Sequence, residues 1–68
     1  MNNISFNVPG IINAEMKTSL KNALDKLDGV QEVDVDQTLD VVTIGFNEPA
    51  TENAIQACIE ETGFKVNQ

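Results

Sequence analysis

Ile4, Phe6 and Val8 alternate with polar Ser5 and Asn7, and Pro9-Gly10 follows. Alternation of period two predicts a strand with one buried face, ended by the turn-forming pair. From Asn13 onward the period changes. Met16, Leu20, Ala23, Leu24 and Leu27 lie at i, i+4, i+7, i+8 and i+11, one stripe of an amphipathic helix. Asn13 is placed to cap that helix, Glu15 suits the positive end of its dipole, Lys26 suits the negative end, and Asp28-Gly29 is expected to end it. Val33 and Val35 alternate with acids, and beyond a turn at residues 37–40 Val42, Ile44 and Phe46 alternate with Val41, Thr43 and Gly45. These two runs predict an antiparallel hairpin. After Pro49, Thr51 can cap a second helix with the apolar stripe Ala54, Ile55, Cys58 and Ile59, which Gly63 stops. Residues 64–66 are expected to form a short last strand.

The order is strand, helix, strand, strand, helix, strand. It predicts an α+β, ferredoxin-like βαββαβ fold: a four-stranded antiparallel sheet with both helices on one face and an acidic, solvated opposite face. A short internal echo fits two related halves. Phe6-Asn7-Val8-Pro9-Gly10 is matched by Phe46-Asn47-Glu48-Pro49-Ala50, and each segment leads from a strand into a helix.

Sixty-eight residues have room for one core, so residues 1–68 are read as a single domain, and a multi-domain enzyme is excluded. Four lysines, no arginine and eleven acids give a net charge of −7. Nucleic acid and anionic membrane are unsuitable partners, because both are bound largely through cations and this chain has few. Apolar stretches of two or three residues cannot span a bilayer, and the first residues resemble no secretory leader. A cytoplasmic monomer is expected. The single cysteine and the absence of histidine leave no internal disulfide, no multi-thiolate metal site and no activated thiol.

Several stretches together carry a resemblance. They are Val8-Pro9-Gly10-Ile11 before the first helix, Leu27-Asp28-Gly29-Val30 with Val33-Asp34-Val35, Val42-Thr43-Ile44-Gly45-Phe46, and the ending Ile59-Glu60-Glu61-Thr62-Gly63-Phe64-Lys65-Val66. The chain resembles the heavy-metal-associated domain of copper metallochaperones, mercury-binding proteins and the amino-terminal modules of copper-transporting ATPases. The middle and the ending follow that family's L-x-G-V-x-x-V-x-V and I-x-x-x-G-[YF]-x-V patterns. In the family the metal sits in a G-M-x-C-x-x-C loop. The counterpart here is Gly10-Ile11-Ile12-Asn13-Ala14-Glu15-Met16, with Asn13 at the first thiol's place and Met16 at the second's. The family's ligand roles therefore do not transfer to either residue. An amide oxygen and a neutral thioether supply none of the charge neutralisation that two thiolates give a soft ion. No metal site and no cofactor are expected.

Each conspicuous residue also has a structural explanation. Met16 begins the helical stripe, Asn13 is accounted for by capping, and Cys58 lies on a stripe between isoleucines with acids nearby that raise a thiol pKa. Asp34 and Asp36 belong to a solvated strand face, and neither acid–base chemistry nor an EF-hand is indicated. Ile11 and Ile12 cannot both point inward. The resemblance places Ile11 where a core-directed methionine usually stands and leaves Ile12 exposed near Phe64, at the end the family uses for docking. Ile11, Ile12, Asn13, Met16 and Phe64 are accordingly the candidate docking residues. The reading is a non-enzymatic interaction module of metal transport or homeostasis, with a degenerate metal loop. Its acids favour a basic partner, such as a cognate domain of a metal-transporting ATPase. Two alternatives stay open: a weak copper carrier using Met16 with Cys58, the Met1 amine or a partner's thiols, and a small regulatory domain that binds a small molecule between subunits.

Overall fold

The computed structural model describes residues 2–67. Its elements are β1 (Asn2–Asn7), α1 (Ala14–Asp25), β2 (Val30–Asp36), β3 (Val41–Phe46) and α2 (Glu52–Glu61). The strands form an antiparallel sheet in the order β1-β3-β2. Register explains why the alternation works. Ile4, Ile44 and Val33 lie side by side, as do Phe6, Val42 and Val35, so these apolar residues of three strands share one face. The intervening rows, Ser5-Thr43-Asp34 and Asn7-Val41-Asp36, make the other face, where the Ser5 and Thr43 hydroxyls are 3.0 Å apart.

Leu20 and Leu24 of α1 and Ile55 and Ile59 of α2 are fully buried with Phe6, Val8, Val42 and Ile44. Both helices therefore cover the apolar face of the sheet, as the sequence pattern requires. The expected caps form. Asn13 Oδ1 accepts from the Met16 amide at 2.9 Å, and Thr51 Oγ1 accepts from the Ala54 amide at 3.1 Å; each satisfies an orphan N–H of its first turn.

Two expectations need correction. The described residues contain three strands, and the expected fourth is reduced to one antiparallel bridge, Asn67 to Asn7, with the Asn67 amide donating to the Asn7 carbonyl at 2.8 Å. Phe64 and Val66 are half-buried against the core while Lys65 is exposed. The period-two burial is present without a continued ladder.

The second correction concerns α1, which ends at Asp25 with Lys26 as its C-cap, before Asp28-Gly29. Gly29 instead serves the approach to β2. It has φ +100°, and a side chain there would collide with the carbonyl oxygen of Asn47 and approach the Ala50 amide nitrogen to 2.7 Å. Only glycine meets both demands. The contact is held by a hydrogen bond from the Asn47 amide to the Gly29 carbonyl at 2.8 Å. It fastens the α1–β2 connection to the β3–α2 connection at the end of the sheet opposite the β1–α1 loop.

Candidate functional site

The loop between β1 and α1 is fixed from below. Val8 is fully buried and donates its amide to the Asp40 carbonyl at 2.7 Å, while Ile11 is buried in the core. Between these anchors the chain turns at Gly10, with φ +99°. Ile12 then projects into solvent, 78 % exposed. The two isoleucines divide as expected: Ile11 stabilises the loop and, being buried, offers no side-chain surface to a partner, whereas Ile12 does.

Asn13 and Met16 are brought together by capping. The Asn13 side chain reaches the Met16 backbone amide, so its oxygen is already engaged in holding the first turn. Met16 is half-buried against the core. It also lines a shallow groove of about 340 Å³ shared with Pro9, Gly10, Thr62, Gly63, Phe64 and Lys65. Phe64 arrives there because α2 stops at Thr62-Gly63: the Gly63 amide donates to the Glu60 carbonyl at 3.1 Å, and Gly63 has φ +99°. Ile12, Asn13, Met16 and Phe64 thus lie at one end of the domain.

A further exposed apolar side chain lies at this end. Leu39, in the β2–β3 turn, is 65 % exposed, and the turn reaches the loop through the Asp40–Val8 hydrogen bond. A leucine among the polar residues of a hairpin turn is the signal that could have marked it.

The donors at the loop are the Asn13 amide oxygen and the Met16 thioether. Among the described residues no group of three or more His, Cys, Asp or Glu side chains is arranged to hold a metal ion. At the loop itself, one neutral oxygen is occupied as a cap and one thioether is half-buried against apolar neighbours. A soft ion needs charge-neutralising sulfur, and a helix N-terminus adds positive potential that only anionic ligands would offset.

Cys58 stands apart from this end. Its thiol donates to the Ala23 carbonyl at 3.5 Å across the α1–α2 contact, and it is half-buried rather than fully buried. Ala23 is seven residues beyond Met16, about 10 Å along the helix, so the geometry does not join Met16 and Cys58 as a ligand pair. The Met1 amine, the other donor considered, lies outside the described residues. Burial, followed by the charge of Glu61, pushes the Cys58 thiol pKa up. The fold thereby favours the protonated thiol. This contribution to stability is fully present below the unfolded-state thiol pKa and is lost as pH rises through the raised folded value. Iodoacetamide at pH 8 is expected to alkylate the folded protein more slowly than the same chain in urea; equal rates would show that the thiol is not shielded.

Among the described residues no helix is long and apolar enough to cross a membrane. Comparison with solved structures finds the same fold repeatedly. The CopZ metallochaperone superposes with a TM-score of 0.93 at 24 % identity, over 97 % of this chain and 100 % of that one. A copper-binding domain from HMA7, a P-type ATPase, gives 0.93 at 26 % identity over 98 % and 92 %. Oxidized MerP from Ralstonia metallidurans CH34 gives 0.87 at 21 % identity over 98 % and 97 %. These likenesses show the fold. No functionally curated protein matches the sequence. The sequence pattern of the heavy-metal-associated domain matches residues 5–65, nearly the whole length, and the chain belongs to the heavy-metal-associated domain family.

Proposed function

We propose that this chain is a single-domain, cytoplasmic interaction module of metal transport or homeostasis, in which the metal loop has degenerated. It works as a monomer, catalyses no reaction and binds no soft metal tightly by itself. One observation carries the reading: at the loop where the family's thiols sit, the Asn13 oxygen is spent on the Met16 amide and Met16 leans on the core. The scaffold is kept and the anionic sulfurs are missing. What the loop retains is an exposed Ile12 and, at the same end of the domain, a groove that Met16 and Phe64 line. A net charge of −7 favours a basic partner. Copper chaperones and ATPase metal-binding modules share this fold, and a cognate ATPase domain with a lysine-rich docking surface is the partner the reading selects.

The test is an NMR titration of the isotope-labelled protein with such a domain. Amides of residues 11–16 and 62–65 are expected to shift, and the association should weaken as salt is raised, since screening shortens the reach of surface charge. An Ile12→Ser variant should weaken the association without changing the fold. Shifts confined to the outer face of the sheet, or none at all, would contradict the reading.

A further inference from the structure

We propose that the β2–β3 turn is a second arm of the docking end, in which Leu39 enters an apolar socket on a lysine- or arginine-rich protein surface while Ile12 fills another. The inference rests on the interaction-module reading and extends it to a segment outside the loop that carries metal in the family. Placement comes first. Asn7, at the end of β1, pairs with Val41, at the start of β3, so the turn before β3 and the loop after β1 emerge at the same end of the sheet. The Val8 amide is bonded to the Asp40 carbonyl at 2.7 Å, tying the two segments together. Ile12 and Leu39 are the large hydrophobic residues exposed among those described, at 78 % and 65 %, and both lie at this end.

The turn is also built to hold its shape. Asp36 Oδ1 accepts from the Thr38 amide at 2.9 Å and from the Leu39 amide at 3.1 Å, and Asp40 takes the left-handed conformation at φ 56°. The backbone that carries Leu39 is thus held in one shape, and a preordered backbone loses less freedom on binding. Large apolar side chains grouped at one end of a small protein mark contact surfaces better than the same residues scattered.

Charge selects the occupant. Residues 36–41 hold two acids and no cation, and Glu15 stands in the first turn of α1 close to Ile12 in sequence. A second copy would set acids against acids, with −7 on each chain. A cationic surface meets the flanking carboxylates while its apolar sockets take the two side chains.

The experiment uses the same lysine-rich ATPase domain as probe, with the wild type and the variants Leu39→Ser and Asp36→Asn/Asp40→Asn. Asparagine can still accept the turn hydrogen bonds and tolerates a positive φ, so the second variant removes charge while keeping the shape. The wild type is expected to show shifts at residues 37–40 as well as 11–16. Leu39→Ser should bind about tenfold more weakly, as for loss of a central apolar contact, with an unchanged thermal melt, and the asparagine variant should lose much of the salt dependence. Binding by Leu39→Ser equal to wild type, with shifts confined to residues 11–16 and 62–65, would overturn this inference and leave the interaction-module reading standing. Absence of any binding by the wild type would overturn both. Concentration-dependent dimerisation of the wild type through the turn would also overturn the inference, because the occupant would then be a second copy.

Discussion

Leu24→Ala is expected to leave most of the protein unfolded at room temperature. Leu24 is fully buried on the face of α1 that meets the sheet, in a cluster with Phe6, Leu20, Ile44 and Ile59. Truncating such a side chain removes its transfer free energy and leaves a cavity, together costing about 2–5 kcal/mol. A domain of this size has roughly 3–5 kcal/mol of net stability to lose. No disulfide, and among the described residues no metal cluster, offsets the deficit. Urea unfolding followed by circular dichroism reads the effect directly. A cooperative transition within about 1 kcal/mol of the parent would show that α1 does not bury this face against the sheet.

The second large effect is a gain. Asn13→Cys combined with Met16→Cys is expected to raise Cu(I) affinity at least about a thousandfold, on the order of 4 kcal/mol. The two positions are already neighbours at the start of α1, since the Asn13 side chain spans to the Met16 amide at 2.9 Å. Thiols there would be acidified by the helix N-terminus, and the resulting pair of anionic sulfurs suits a soft monovalent ion. Loss of the asparagine cap costs about 1 kcal/mol, so a melt must accompany the titration to show that the variant is folded. A folded double variant without tight binding would mean that more than the ligands has changed in the loop.

Much of the architecture was legible because burial on one face leaves a periodic trace. Ile4-Phe6 and Val42-Ile44-Phe46 alternate in sequence and pack side by side in the sheet; Leu20-Leu24 and Ile55-Ile59 repeat every four residues and fill the space between sheet and helices. The caps were legible too, because Asn13 and Thr51 act on amides only three residues away. What local pattern could not reveal depends on distant contacts. Gly29 looks like a helix stop, yet its conformation is demanded by the backbone of residues 47–50, while α1 has already ended at Asp25. Residues 64–66 were expected to form a strand, but among the described residues the pairing with β1 is a single bridge at Asn67. At the site, sterics required that Ile11 and Ile12 not both be buried, and the family resemblance implied that Ile11 is the buried one, as it is. Leu39 was not, because its significance comes from the Asp40–Val8 hydrogen bond that draws the hairpin turn to the loop.

Titrating the unmodified, reduced protein with Cu(I) in competition with a chromophoric chelator decides whether the family scaffold keeps a soft-metal site of its own here. The chelator is expected to keep its metal at every protein concentration. Stoichiometric transfer of Cu(I) to the protein, accompanied by perturbation of residues 10–16, would contradict it.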